Sequence, residues 1–159
     1  MRIRSTLKLI KLSGLKPLKH VENNISPFPG EWYATLASAG RGKFVTLFVH
    51  KETKISILIQ SKSLNKTLPL FNNSLFELLQ RNGYLKFYNS FDTSSSIEIY
   101  TTNNSSTVSF MNNLRFTIEI FLKESLNLTE IEDRFLEWPF KADYKTGKYT
   151  TPKEILDKL

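Results

Sequence analysis

Three apolar runs, Trp32–Ala37, Phe44–His50 and Ile55–Ile59, follow one another with only the short polar stretches "GRGK" and "KETK" to separate them. That spacing reads as a β-meander with two short hairpin loops. The middle run carries Val45, Leu47 and Val49 on one face and Phe44 and Phe48 on the other. A strand apolar on both faces is expected at the centre of a sheet that is covered on both sides.

The flanking segments add helices. Ile3 opens an extended start, and Thr6 is placed to cap a short helix with Leu7 and Ile10 on one face and Gly14 as its stop; the alternation of Leu7 and Leu9 leaves a strand open. "ENNISPFPGEW" reads as a loop by its Asn, Pro and Gly content. "NNSLFELLQRNG" predicts a helix capped by Asn73 or Ser74, with Leu75, Leu78 and Leu79 as its stripe and Gly83 past its end. "SSSIEIYTT" supplies a further strand through Ile97, Ile99 and Thr101, followed by a turn at "NNSS".

From Thr107 to Glu124 the pattern is double. Met111, Leu114, Ile118 and Phe121 fit a helical face, whereas Leu114, Phe116, Ile118, Ile120 and Leu122 alternate as in a strand. The length of this run without Gly or Pro favours the helix. Thr129–Glu132 has the form of a capping box for a helix ending at Trp138-Pro139, and Thr151–Glu154 is a second box with proline at the first helical position. The expectation is one α+β domain over residues 1–159, a mainly antiparallel sheet of about four to six strands packed against two or three helices.

A single core suffices for 159 residues, which bury roughly 70% of their unfolded surface. Cysteine is absent, so disulfides, thiolate metal sites and thiol catalysis are excluded, in keeping with a reducing cytoplasm. Lysines interrupt the apolar residues of "LKLIKLSGLKPLKH", which therefore lacks the apolar run of a signal peptide. No stretch approaches the roughly 20 apolar residues of a membrane span. The chain reads as soluble, without an expected cofactor or metal.

The net charge of +7 is uneven. Residues 1–20 hold Arg2, Arg4, Lys8, Lys11, Lys16 and Lys19 with no acid, leaving the rest of the chain close to neutral. A cluster of bases without acids is suited to phosphates or to an acidic partner, because bound cations release counterions.

The stretch "GRGKFVTLF" resembles two motifs and satisfies neither. A P-loop needs Gly-Lys followed by Ser or Thr at the start of a helix, and here Phe44 and a strand follow. The RNA-stacking strand signature needs an aromatic where Lys43 stands and is one residue short, a slip that turns side chains to the opposite face. What remains is a hairpin turn with Arg41 and Lys43 in solvent.

Catalytic residues are sparse. His20 lies beside the basic segment; His50 ends the central strand just before a turn, where it is a candidate general base, with a structural role as the alternative. Glu130, Asp133 and Glu137 share one side of a predicted helix and read as a solvated face. "YLKFYNSF" interleaves Tyr84, Phe87, Tyr88 and Phe91 with Lys86, a pattern open to base stacking and better suited to core packing.

The start "MRIRSTLKLIK", the block "WYATLASAGRGKFVTLFVHKETKISILI" and the segment "TTNNSSTVSFMNNLRFTIEIFL" together resemble a family of short bacterial proteins catalogued only as a domain of unknown function. The matching positions are Arg4, Thr6, Lys8, Trp32, Ala34, Lys43, Met111 and Asn112, with a departure at Phe110. The resemblance implies a cytosolic bacterial or mobile-element protein and brings no activity, cofactor or catalytic residue.

The function expected from the residues is non-enzymatic binding of nucleic acid or an acidic partner, with Arg2, Arg4, Lys8, Lys11, Arg41 and Lys43 as the contacts. The alternatives are a small hydrolase or nuclease built on His50 and a carboxylate from another element, and a stabilising partner within a gene pair.

Overall fold

The computed structural model describes residues 1–19, 30–91, 93–143 and 145–159. His20 and most of "ENNISPFPGEW" lie outside them. Five strands form the main sheet: β1 (Arg2–Ser5), β2 (Trp32–Ser38), β3 (Phe44–His50), β4 (Ser56–Ile59) and β5 (Glu98–Thr101), in the order β4-β3-β2-β1-β5. The expected meander is present: β2 pairs antiparallel with β3 from Trp32↔His50 to Ser38↔Phe44, and β3 pairs antiparallel with β4. At the first turn Gly40, Arg41 and Gly42 all take positive φ, the conformation glycine adopts without cost.

The sheet is mixed, not mainly antiparallel. β1 is parallel to both β2 and β5, so only β3 runs against the other four strands. The hairpin signal reports antiparallel neighbours alone; parallel neighbours are joined by long crossovers that leave no turn signature. Here α1 (Leu7–Leu12) lies in the connection from β1 to β2, and α2 (Leu64–Arg81) with a 3-10 helix (Leu85–Phe91) lies in the connection from β4 to β5.

Strand alternation divides the core into two layers. Ile3, Trp32, Ala34, Leu36, Phe48, Ile57 and Ile59 face α1, α2 and the 3-10 helix. Tyr33, Ala37, Val45, Leu47, Val49 and Leu58 face α3 (Ser105–Lys123) and α4 (Leu128–Leu136). A two-stranded ribbon, β6 (Phe140–Lys141) with β7 (Tyr149–Thr150), and α5 (Pro152–Leu156) complete the α+β fold.

α2 starts about nine residues before the expected Asn73 or Ser74 and runs through Pro69. A proline inside a helix costs about 3 kcal/mol. The extension buries Leu64, Thr67 and Phe71 in line with Leu75, Leu78 and Leu79, and the Phe71 ring meets Trp32 at 4.9 Å and Phe48 at 5.0 Å. Burying Leu64 and Phe71 contributes roughly 1.5–3 kcal/mol each, enough to offset the proline.

The double pattern at 107–124 resolves as the helix. Thr107, Phe110, Met111, Leu114 and Ile118 are buried, while Phe116 and Ile120, which belong to the strand reading, are 70% and 53% exposed. The capping box of α4 sits two residues earlier than expected: Asn127 Oδ1 accepts from the Glu130 N–H at 2.9 Å and Glu130 Oε2 accepts from the Asn127 N–H at 2.8 Å. Glu132 cannot serve as the box acid because it is buried elsewhere, accepting from the Leu58 N–H at 2.7 Å and pairing with Arg81 at 2.6 Å. The Thr151–Glu154 box is formed as expected, with Pro152 at the start of α5.

Candidate functional sites: a cationic edge and a buried imidazole

The basic N-terminal segment is not a free arm. Its start, Arg2–Ser5, is β1, hydrogen-bonded on both sides between β2 and β5. Arg2 lies 3.6 Å from Glu98 on β5. Arg4 is 5% exposed, its Nε 2.7 Å and its Nη2 2.9 Å from the two carboxylate oxygens of Glu31, which is itself 4% exposed. Its Nη1 donates to the Thr101 carbonyl at 3.2 Å, and its guanidinium lies 5.4 Å from the Tyr100 ring centre. This bidentate pair leaves Arg4 no face for a phosphate.

Lys8 and Lys11 are exposed on α1, whose Leu9 and Ile10 turn into the core. α1 follows the C-terminal end of β1, and the Thr6 N–H donates to Ala34 O on β2. Because β1, β2 and β4 run in the same direction, that end of the sheet also holds the β2–β3 turn with Arg41 and Lys43, the β4–α2 connection with Lys62, and the first turn of α2 with Lys66. Hydrogen bonds tie these pieces together. The Leu64 N–H donates to Ser13 Oγ at 2.8 Å, Asn65 Nδ2 donates to Ser13 O at 2.7 Å, and Thr46 Oγ1 donates to Ser61 O at 2.9 Å.

All six side chains, Lys8, Lys11, Arg41, Lys43, Lys62 and Lys66, are exposed. The three segments that carry them, 5–19, 32–50 and 53–76, contain no Asp or Glu. Near the β2–β3 turn α3 contributes an acid, Glu119, which lines a hollow with Arg41 and lies 3.8 Å from Lys123. Lys62 and Lys66 escaped the sequence reading because they sit apart in sequence from the N-terminal cluster. Only the parallel placement of β1, β2 and β4 brings them to it.

At the opposite end of the sheet His50 is fully buried, its ring 5.0 Å from that of Trp32 and 5.2 Å from that of Phe91. Nδ1 accepts from the Thr53 N–H at 3.2 Å and lies 2.9 Å from Thr53 Oγ1. A backbone N–H only donates, so Nδ1 carries the lone pair and the neutral ring holds its proton on Nε2. Nε2 lies 3.5 Å from Glu52 Oε2.

Nδ1 is thus held by Thr53, while Nε2 faces the Glu52 carboxylate at ion-pair distance without a hydrogen bond, and Glu52 is the group of the pair that reaches solvent. Burial raises the Glu52 carboxyl above its ordinary range, an effect that Lys51 partly offsets. Gly30, at φ +114, makes room for it: a Cβ there would lie 1.9 Å from Glu52 Oε2. His50 and Glu52 border a cavity of about 260 Å³ whose walls include Phe87, Phe91, Ile155 and Leu159. The aromatics of "YLKFYNSF" thus serve the core and this cavity. Glu52 escaped the sequence reading, which treated "KETK" as a plain hairpin loop.

The remaining acids read from the sequence have structural partners: Glu130 closes the α4 box, Asp133 accepts from Arg81 at 2.8 Å, and Glu137 pairs with Lys153 at 2.9 Å. Among the described residues no group of three or more His, Asp or Glu is placed to hold a metal ion, and no helix is long and apolar enough to cross a membrane.

The chain belongs to the family described as a domain of unknown function (DUF6933), which matches it over residues 2–155. Both the cationic edge and the His50–Glu52 pair fall within that span. No curated protein and no solved structure matches the chain.

Proposed function

We propose that this protein is a non-enzymatic nucleic-acid-binding domain that contacts phosphates through Lys8, Lys11, Arg41, Lys43, Lys62 and Lys66. The observation that carries this reading is the convergence of three acid-free segments at one end of the sheet. Exposed cations without intervening carboxylates have no internal ion pairs to give up, so phosphate contacts gain the full counterion release. The proposal keeps the basic N-terminal helix of the sequence reading and replaces Arg2 and Arg4 with Lys62 and Lys66. The lack of cysteine suits a reducing cytoplasm, where such a partner is abundant.

The test is fluorescence anisotropy with labelled single- and double-stranded DNA and RNA over a salt series. Each lost phosphate contact flattens the log–log slope by about 0.7 for single strands and about 0.9 for duplex. The quadruple variant Lys8→Gln, Lys11→Gln, Lys62→Gln, Lys66→Gln is expected to flatten the single-strand slope by about 3. An unchanged slope and affinity would remove the edge from the account.

A second reading, a small hydrolase, is favoured by one observation: a carboxylate with a raised pKa, Glu52, stands beside His50 at an apolar cavity. In it Glu52 handles the proton and His50 orients Glu52 through Nε2. It predicts hydrolysis of an apolar ester or amide that Glu52→Gln abolishes while the fold is retained; turnover unaffected by that substitution would discard it.

A further inference from the structure

The β3–β4 turn ends on a lysine in two costly states at once. Lys54 takes φ +60, a left-handed conformation that costs a residue with a Cβ about 1 kcal/mol or more. Its side chain is turned inward and the residue is 8% exposed. An ammonium held away from water needs compensation, and a carboxylate is the usual source.

Lys54 has none. Nζ donates to the Lys51 carbonyl and, at 3.1 Å, to Thr107 Oγ1, and it lies 5.9 Å from the Phe140 ring centre. These partners are neutral, and among the described residues no carboxylate lies within ion-pair distance of it. Burial accordingly lowers its pKa to about 8, although the more distant Glu52 favours the charged form.

Lys54 also borders a cavity of about 200 Å³. One wall is a single face of α3, presenting Ser106, Ser109 and Asn113. The segment after α4 also lines the cavity, where Lys141 adds a second amine alongside Trp138 and Phe140. Among the described residues the lining thus has two cations, hydroxyls and an amide but no acid. Its volume falls below the roughly 300 Å³ at which drug-sized sites begin, which limits the occupant to a few heavy atoms.

We propose that the cavity between α3 and β6 binds a small oxyanion, a phosphate or carboxylate group, that pairs with the Lys54 ammonium at its inner end and with Lys141 at its rim. The serine hydroxyls and the Asn113 amide supply donors for the oxyanion's remaining lone pairs, and Trp138 and Phe140 flank a short apolar substituent. The site is distinct from the cationic edge, which lies at the other end of the sheet, and does not depend on the nucleic-acid reading. A polyanion too large for the cavity has no access to Lys54.

The test uses lysine labelled with ¹³C at Cε, titrated with sodium phosphate and in parallel with sodium acetate, each against sodium chloride at matched ionic strength. A saturable shift of the Lys54 resonance, half-complete on the order of millimolar, together with an upward move of its titration midpoint from about 8, is the expected result. Saturation by phosphate assigns a phosphate-bearing ligand, and saturation by acetate alone assigns a carboxylate. Ser109→Glu, an exposed α3 position, places a carboxylate of the chain itself in the cavity and is expected to abolish the response while leaving the fold intact. If Lys54 responds to neither anion beyond the chloride control, or responds equally in Ser109→Glu, the proposal fails.

Discussion

Replacing Arg4 with methionine separates a structural arginine from a binding one. The substitution keeps an unbranched stem but removes the cation that holds the Glu31 carboxylate, leaving that carboxylate 4% exposed with its two charge-assisted hydrogen bonds gone. Breaking a buried pair from one side costs about 3–5 kcal/mol, most of it the penalty of an uncompensated charge. In a domain of this size each kcal/mol shifts Tm by about 2–4 °C, so Arg4→Met is expected to melt roughly 6–20 °C lower. The double variant Arg4→Met, Glu31→Met removes both charges and is expected to lie within about 1 kcal/mol of wild type, since apolar replacement of a whole buried pair is often neutral. Urea unfolding of wild type, the Arg4 variant, Glu31→Met and the double closes the cycle, with equal m values required for the comparison. If Arg4→Met costs less than about 0.5 kcal/mol and instead weakens nucleic-acid binding, Arg4 faces ligand and the buried-pair reasoning is refuted.

Three further outcomes follow from single contacts. Gly30→Ala adds a Cβ 1.9 Å from Glu52 Oε2 at φ +114 and is expected to cost about 1–2 kcal/mol while displacing Glu52 from His50; unchanged His50 ring ¹⁵N resonances would contradict the contact. Burial pushes the Glu132 carboxyl up to about 7 from 4.5, against the opposing pull of the Leu58 N–H and Arg81. The folded state keeps this proton over an interval in which the unfolded chain has lost it, so the associated stability is present below pH 4.5 and is lost as pH rises through 7. The local slope reaches up to about 1.4 kcal/mol per pH unit, and Glu132→Gln is expected to flatten it in urea melts across that range; an identical pH profile would contradict the shift. Asn127→Ala is expected to cost about 1 kcal/mol and Thr129→Ala less than about 0.5, whereas the reverse order in thermal melts would return the α4 cap to Thr129.

The meander was legible because hairpin spacing and two-sided hydrophobicity are local properties, and β2, β3 and β4 fall within a residue of the expected runs. The Thr151 box was legible for the same reason. Parallel pairing was not, because the partners of β1 lie about thirty and about ninety-five residues away along the chain. The start of α2 was missed because Pro69 and the polar residues around it argue locally against a helix that tertiary burial of Phe71 sustains.

The sites divide in the same way. Lys8, Lys11, Arg41 and Lys43 stood out by their own sequence neighbourhoods, but Arg4 carries no local mark that separates it from them. Its confinement depends on Glu31, brought alongside by the parallel register Arg4↔Tyr33. His50 was visible as an isolated histidine at a strand end. Glu52 and Lys54 looked like ordinary turn residues because their burial is set by Gly30, Thr107 and Phe140, distant positions that sequence does not connect to the turn.

The cationic edge is tested most directly by mapping backbone amide shifts of ¹⁵N-labelled protein on titration with a short single-stranded oligonucleotide at low salt. The expected perturbations fall on residues 7–13, 39–44 and 61–66 together and disappear in the quadruple lysine variant. Shifts centred on β5 or on the β6–β7 ribbon, or none at low salt, would contradict the claim that this end of the sheet is the binding surface.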